Sequence, residues 1–159
     1  MASTSSQHKK TNDKSLHVKL DLNVLESLIG YNARRAALCI IDDFNAHLRE
    51  TALKPVEFSV LSAIAHNANI SAHLICKALN ILPPNIVGIL KSLEERKLIT
   101  RVIGVVDNRQ ISLAITRHGQ ALIKKAQQLA MESDLRATTS ISAQERAQLI
   151  ALLKKIYQA

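Results

Sequence analysis

Three polar residues, Asp107, Asn108 and Arg109, stand between two stretches rich in β-branched side chains. The stretches, residues 99–106 and 110–116, predict two strands, and in the second one isoleucine and leucine alternate with serine and alanine. An arginine at the tip between such strands can bind phosphate oxygens or enter the minor groove of DNA. The pattern therefore predicts a β-hairpin with a basic tip.

The segment ahead of this hairpin predicts a helix with one polar face. Pro84 suits its first turn, because a first helical residue needs no hydrogen-bond donor. Helical spacing places Ile86, Ile89, Leu90 and Leu93 on the inward face and Asn85, Val87, Gly88, Lys91, Ser92 and Glu95 on the outward face. A shorter helix with Ser71 as its N-cap precedes it, across a connection at residues 80–83. Two short helices joined in this way make a helix-turn-helix, whose second helix enters the major groove of DNA.

Longer helices must position these elements. Apolar periodicity predicts one helix over residues 22–49, with Asp21 or Asn23 as its cap, and another over residues 55–66. Thr116 caps a helix over residues 117–136, in which Gly119 allows a close crossing. The spacing of Ser142 and Glu145 is that of a capping box and opens a terminal helix. The first and last helices carry more apolar surface than one small domain buries, which favours dimerisation through them.

The fold class predicted is mainly α with a small β-hairpin wing: a winged helix-turn-helix flanked by N- and C-terminal dimerisation helices. Residues 1–20 form a basic flexible arm, residues 51–116 form the DNA-binding region, and residues 21–50 and 117–159 form the dimerisation region.

The charge of the chain points to a polyanionic partner. Its 159 residues hold 21 Lys and Arg against 13 Asp and Glu, a net charge of +8, which favours nucleic acid over an anionic membrane surface. Aromatic residues make up only 3%, too few to stack unpaired bases, so duplex DNA is the better candidate. The longest apolar run, residues 36–41, is too short to cross a bilayer, and residues 1–13 lack the apolar core of a signal peptide. We expect a cytoplasmic protein with no membrane partner.

Catalytic and metal-binding patterns are missing from the sequence. Cys39 and Cys76 do not have the spacing of a redox or zinc motif, and each is expected to be a buried small hydrophobe. The histidines show no metal-ligand spacing, and the four glycines form neither a phosphate loop nor a dinucleotide fingerprint. We therefore expect no enzyme, no metal and no cofactor.

Four short motifs, in the same order and spacing, resemble those of the MarR (multiple antibiotic resistance regulator) family. Residues 52–61 are similar to the family pattern Leu-x-x-x-Gln/Glu-Phe/Tyr-x-x-Leu, and residues 90–99 to Leu-x-x-Leu-Glu-x-x-Gly-Leu-Ile/Val. Residues 107–109 match Asp-x-Arg in the wing, and residues 115–119 match Leu-Thr-x-x-Gly. The resemblance covers residues 24–157. The chain departs from the family at Lys97, where glycine is usual, at Gln110, where a second arginine often stands, and at Val87 and Gly88, where threonine and arginine are common.

The resemblance implies a homodimeric transcription regulator, usually a repressor, with two recognition helices in successive major grooves of a pseudo-palindromic operator. Arg109 would contact the minor groove or phosphates, held by an ion pair with Asp107. The DNA-binding residues implied are Ser71, His73, Asn85, Val87, Gly88, Lys91, Asp107, Asn108, Arg109 and Gln110.

Family members respond to small molecules, often aromatic carboxylates, bound where the dimerisation helices meet the winged lobes. The candidate partners of such an anion here are His17, Arg34 and Arg35. Two alternatives stay open: a regulator that senses thiol oxidation, and a winged-helix protein-interaction module without specific DNA binding.

Overall fold

The computed structural model describes residues 20–103 and 111–158. The described elements, in chain order, are α1 (Asn23–Glu26), α2 (Ile29–Leu48), a 3-10 turn (Arg49–Thr51), α3 (Pro55–His66), α4 (Ala72–Leu79), α5 (Pro83–Glu95), β1 (Ile99–Ile103), β2 (Ile111–Ile115), α6 (Arg117–Ala137) and α7 (Ala143–Tyr157). This order confirms the predicted fold class, a mainly helical chain with a two-stranded wing between a helix-turn-helix and two further helices.

The prediction of one helix over residues 22–49 is wrong, because the chain breaks at Ser27 and Leu28. Leu28 takes an extended conformation, with φ −91° and ψ 127°, between α1 and α2. The side-chain amide of Asn32 donates hydrogen bonds to the carbonyl oxygens of Glu26, at 2.7 Å, and Leu28, at 2.8 Å. An asparagine side chain thus satisfies carbonyls at the break, a local competition with the helix that apolar periodicity does not reveal.

The core lies where α3 meets α4, α5, α6 and the wing. Its fully buried side chains include Leu61 and Ile64 of α3, Leu93 of α5, Leu113 of β2 and Ile123 of α6. These residues come from segments far apart in the sequence, so the helix-turn-helix is held on a shared hydrophobic centre.

The wing is an antiparallel pair in which Ile99 lies opposite Ile115 and Ile103 lies opposite Ile111. Its base is tied to the loop before α4, since the backbone N–H of Leu113 donates to the carbonyl of Ile70 at 2.9 Å. The predicted tip, Asp107, Asn108 and Arg109, lies outside the described residues.

Thr116 and Gly119 join the wing to α6 as predicted. The hydroxyl of Thr116 accepts a hydrogen bond from the N–H of Gly119 at 3.0 Å, which caps the helix, and donates to the carbonyl of Lys97 at 2.7 Å. A Cβ on Gly119 would collide with the carbonyl oxygen of Leu98. The close crossing expected from Gly119 is confirmed.

Helix α7 has the predicted capping box but buries none of its residues. The N–H of Glu145 donates to the Ser142 hydroxyl at 3.3 Å, and the Ser142 N–H donates to the Glu145 carboxylate at 2.7 Å. Arg146 ties the start of the helix to α6 through Thr138, at 2.8 Å from its Nε to the threonine hydroxyl.

The two cysteines differ in environment. Cys76 is buried in α4, as expected, whereas Cys39 is exposed on α2, so the prediction that it is buried is wrong. It lies on α2, whose only buried residue is Leu48.

Among the described residues, no single helix has both the length and the apolar character needed to cross a membrane; α4 and α5 reach that threshold only as a pair bent by 116°.

Candidate nucleic-acid interface

Helices α4 and α5 form a helix-turn-helix. Their axes bend by 116° across the three-residue turn at positions 80–82. Asn80 ends α4 in the left-handed conformation, at φ 50°, and its N–H bonds to the carbonyl of Cys76. Asparagine is one of the few non-glycine residues that adopt this conformation readily, so the sequence itself specifies the turn.

Helix α5 turns its apolar face inward and leaves a polar stripe open. Ile86, Leu90 and Leu93 are buried. The exposed residues of the helix include Asn85, Val87, Gly88, Lys91 and Glu95, as the helical spacing predicts. Val87 is 62% exposed, and the side chain of Lys91 is 75% exposed with its Nζ 3.9 Å from a Glu95 carboxylate oxygen. The recognition helix therefore presents its predicted contact residues to the outside.

Ser92 is the exception on this helix. It is only half-buried, and its hydroxyl donates to the Oε1 of Glu57 at 2.8 Å, so its prediction as an outward residue is wrong. The buried carboxylate of Glu57, on the first turn of α3, attracts the hydroxyl across the interface between the two helices.

Glu57 is the centre of a polar network that fixes α5 against α3. Its carboxylate accepts the backbone N–H of Lys54 at 3.0 Å and lies 3.5 Å from the guanidinium of Arg96. Arg96 also donates to the carbonyls of Thr51 and Ala52, at 3.0 Å each. Sequence reasoning noticed Glu57 only within a family motif and missed Arg96; the signal was an acidic residue in the first turn of an otherwise apolar helix. A buried charge that is hydrogen-bonded on both sides holds a fixed geometry, because losing any partner leaves it unpaired.

Ser71 and His73 lie at the start of α4. The Ser71 hydroxyl accepts the N–H of Leu74 at 3.3 Å and so acts as the predicted N-cap. His73 is exposed. Asp107, Asn108, Arg109 and Gln110, the predicted contacts of the wing tip, lie outside the described residues.

An ion pair joins the wing to the end of α5. Arg101 of β1 donates from Nε and Nη2 to the two carboxylate oxygens of Glu94, at 2.7 and 3.1 Å. These hydrogen bonds, and the attraction between the two charges, raise the pKa of Arg101 above its ordinary value. Sequence reasoning missed this pair, which links β1 to the last turn of the recognition helix.

Lys97 follows α5 in the left-handed conformation, with φ 55°. This is the position where the family usually has glycine, which adopts such a conformation without strain. Two backbone hydrogen bonds close the turn at Lys97. The N–H of Lys97 donates to the carbonyl of Glu94 at 2.8 Å, and the N–H of Leu98 donates to the carbonyl of Leu93 at 2.9 Å.

A groove of about 690 Å³ lies between α3 and α6. Its lining residues are Phe58, Ser62, His66, Gln127, Ala130, Met131, Asp134 and Leu135. The side-chain amide nitrogen of Gln127 lies 2.9 Å from Nε2 of His66.

The predicted ligand-binding residues do not coincide with this groove. Arg34 and Arg35 are exposed on α2 and are not among its lining residues, and His17 lies outside the described residues. Sequence reasoning missed the groove because its walls come from two helices that are distant in the chain. Within residues 20–103 and 111–158, no group of three His, Cys, Asp or Glu side chains could hold a metal ion.

Comparisons with known proteins agree with this geometry. The sequence model of the MarR family matches residues 53–110. A putative transcriptional regulatory protein for the hcr operon of Thauera aromatica is 28% identical over 131 residues, which are 82% of this chain and 79% of that protein.

Two solved structures are similar over most of the chain. The transcriptional repressor CouR, bound to a 23-mer DNA duplex, has a TM-score of 0.82 and 32% identity, covering 87% of this chain and 99% of that one. CouR from Rhodococcus jostii RHA1, bound to p-coumaroyl-CoA, has a TM-score of 0.76 and 26% identity, covering 83% of this chain and 93% of that one.

Proposed function

Because the chain belongs to the MarR family of DNA-binding transcription regulators, we propose that it is a homodimeric repressor released from its operator by a small aromatic effector. This proposal is supported above all by the orientation of α5. The helix follows α4 across a helix-turn-helix bend, and its residues Asn85, Val87, Gly88 and Lys91 are exposed. The similar CouR binds a DNA duplex. We assign no catalytic role to the chain, and a DNA operator implies a cytoplasmic location.

The proposed division of labour follows the elements. Residues 51–116 bind DNA, with Ser71 and His73 near the backbone and with Asp107, Asn108, Arg109 and Gln110 as wing contacts expected from the sequence. Residues 21–50 and 117–159 form the dimer. A dimer is supported by α7, whose apolar residues Leu149, Ile150, Leu152, Leu153 and Ile156 are all exposed in the single chain. A helix of this length that buries none of its residues needs a partner surface, since isolated short helices are marginally stable in water.

The DNA-binding role predicts that affinity depends on salt through Lys91. Fluorescence anisotropy with a labelled duplex, repeated at several salt concentrations, gives the slope of log affinity against log salt. We expect Lys91→Ala to reduce this slope by about 0.9 per lost phosphate contact, or about twice that for a dimer. Lys124→Ala, which removes an exposed charge from α6, should leave the slope unchanged and serves as the matched control.

Two results would contradict this role. An affinity that does not change with salt would favour a protein-interaction module instead. Equal effects of Lys91→Ala and Lys124→Ala would mean that the duplex responds to the net charge of the protein and not to the face of α5.

The groove between α3 and α6 is the proposed effector site. Its volume of about 690 Å³ falls within the usual range for ligand pockets. Phe58, Ala130, Met131 and Leu135 supply an apolar surface for an aromatic ring, and His66 with Gln127 supplies hydrogen bonds at one side. The effector must favour one separation of the two recognition helices over another, because equal affinity for both would not release DNA.

The charge of this groove favours neutral aromatic effectors over aromatic carboxylates. None of its described lining residues is lysine or arginine, and one is the carboxylate Asp134. A free carboxylate would find no lysine or arginine there, whereas an amide or ester would lose less hydration. The p-coumaroyl-CoA bound by the similar CouR is a thioester, in which the carboxyl group carries no charge.

A thermal-shift series with 4-hydroxycinnamic acid and its amide tests this preference. Stabilisation grows with ligand concentration relative to the dissociation constant, so the amide should raise the melting temperature at lower concentration than the acid. His66→Ala should weaken the response to the amide, while His118→Ala, at an exposed histidine near the start of α6, should not. A stronger response to the acid, or one unaffected by His66→Ala, would place the effector elsewhere.

A further inference from the structure

The exposed stripe of α5 carries an unusual set of side chains for a helix that enters a DNA groove. Its first two turns, residues 83–90, contain no ionisable residue, and Lys91 is the first charge along the helix. Recognition helices contact base edges mainly with their N-terminal residues. Base recognition by this helix therefore depends on Asn85 and Val87, because its N-terminal turns contain no arginine.

Asn85 is exposed, and its side-chain amide makes no hydrogen bond to any described residue. Its backbone N–H is already used, bonding to the carbonyl of Leu82 at 2.9 Å. A carboxamide bonds in bidentate fashion to N6 and N7 of adenine, whereas guanine is read by arginine or lysine. The chemistry of the exposed amide thus fits adenine.

Val87 holds an apolar side chain in water at 62% exposure. It lies on the same side of the helix as Lys91, four residues later, so it faces the same surface. The apolar group that the major groove offers is the C5 methyl of thymine. Thymine therefore fits the exposed valine.

No packing contact among the described residues requires glycine at position 88. Glycine destabilises a helix interior relative to alanine, and no described atom beyond the adjoining residues and backbone of α5 lies within 4 Å of the position its Cβ would take. At Gly119 the reverse holds, since the carbonyl of Leu98 excludes a side chain. The missing side chain of Gly88 instead leaves room outside the protein, on the stripe that bears Val87 and Lys91, for a close approach of the helix to another surface.

We propose that α5 reads A·T base pairs in the major groove, with Asn85 on adenine, Val87 on the methyl group of thymine, and Gly88 allowing the backbone to approach the bases. This inference rests on the proposed function. Lys91, one turn further along the helix, would contact a phosphate and contribute affinity without sequence preference.

The test begins with selection of duplexes from a randomised library by the full-length protein. In an enriched duplex, each thymidine is replaced in turn by deoxyuridine, which lacks the methyl group, and each deoxyadenosine by its 7-deaza analogue, which lacks N7. We expect one deoxyuridine to weaken binding roughly fourfold and one 7-deazaadenine roughly tenfold. Val87→Ala should abolish the first penalty and Asn85→Ala the second, because the contact is already lost.

Thermal melting checks that Asn85→Ala and Val87→Ala fold. Because both side chains are exposed, neither substitution should lower the melting temperature much. Gly88→Ala should raise the melting temperature while weakening binding to the enriched duplex, a combination that a purely structural glycine would not give. Glu95→Gln, at an exposed position further along α5, is the matched control and should keep both base penalties.

The outcomes separate the inference from the proposed function. The A·T inference would be overturned if neither deoxyuridine nor 7-deazaadenine weakened binding to the enriched duplexes. It would also be overturned if the penalties persisted in both alanine variants. In either case the proposed DNA-binding function would still stand. Failure to enrich any duplex would overturn both.

Discussion

Lys97 shows how one residue can follow a family's geometry without the family's residue. The sequence reveals the departure from glycine, but the left-handed φ of 55° is visible only in the structure. Left-handed backbone brings the Cβ of an ordinary residue close to a carbonyl oxygen, which costs roughly 1–2 kcal/mol. The chain therefore retains strain at the junction between α5 and the wing.

Replacing Lys97 with glycine should stabilise the protein. We expect a gain of about 1 kcal/mol in the free energy of unfolding, less the extra entropy that glycine has in the unfolded chain. Lys124→Gly is the matched control, because glycine in the interior of α6 should cost about 1 kcal/mol. Urea denaturation measures both, and the same sign for the two variants would contradict the assignment of strain to Lys97.

The sequence predicts the candidate contact residues of α5 one by one, but it does not predict the hydrogen bonds that hold the helix in place. Helical spacing alone places Asn85, Val87 and Lys91 on the exposed side, since the inward positions are all apolar. The bonds that hold Ser92 and Arg96 to Glu57 join residues far apart in sequence, and no local pattern specifies that pairing. Arg101 and Glu94 are only seven residues apart, but they lie on different elements, β1 and α5, so neither helical nor strand periodicity predicts that they pair.

At the scale of elements, local signals specify the helix-turn-helix boundaries well. Pro55, Ser71 and Thr116 each start or cap a helix where the sequence predicts one, because proline and hydroxyl residues act on the first turn alone. The break at Ser27 and Leu28 escaped prediction because the apolar pattern continues across it. There the amide of Asn32 competes for carbonyls that an unbroken helix would use.

The capping box of α7 predicts an acid-sensitive helix start. Hydrogen bonds from the backbone and then the side chain of Ser142 lower the pKa of Glu145 below its ordinary value. A carboxylate with a lowered pKa stabilises the folded form above its unfolded pKa, and that contribution is lost as the pH falls through the folded pKa. The start of α7 should therefore loosen in acid.

Titration of Glu145 by NMR measures this effect directly. The expected midpoint lies below the value for an unstructured glutamate, and Ser142→Ala should move it upward, because both the hydroxyl donor and the fixed turn are weakened. A midpoint that is the same in the two proteins would contradict the capping role.

At the scale of the whole molecule, a large apolar surface is not covered by any of the residues that the structure describes. Leu152 and Ile156 of α7 are 58% and 62% exposed, and several leucines and isoleucines of α1 and α2 are exposed as well. The sequence predicts this excess, because the first and last segments contain more apolar residues than one small core accommodates. It does not predict the groove between α3 and α6, which forms only when distant residues such as Phe58 and Leu135 come together.

A charge on this surface should weaken the dimer. We expect Ile156→Glu to raise the dimer dissociation constant roughly tenfold or more, since a carboxylate buried at an apolar interface loses its hydration. Lys154→Glu changes charge on the opposite side of α7 and should have little effect. Sedimentation velocity over a range of concentrations measures both, and equal effects would argue against the apolar stripe as the interface.

The central claim is that a two-fold dimer places two copies of α5 in successive major grooves. Hydroxyl-radical footprinting on an enriched duplex, with the stoichiometry of the complex determined by sedimentation, tests it most directly. We expect two chains per duplex and two protected half-sites related by two-fold symmetry, with centres about 10 base pairs apart or a multiple of that spacing. A single chain bound over one protected segment, or no protection at physiological salt, would contradict it.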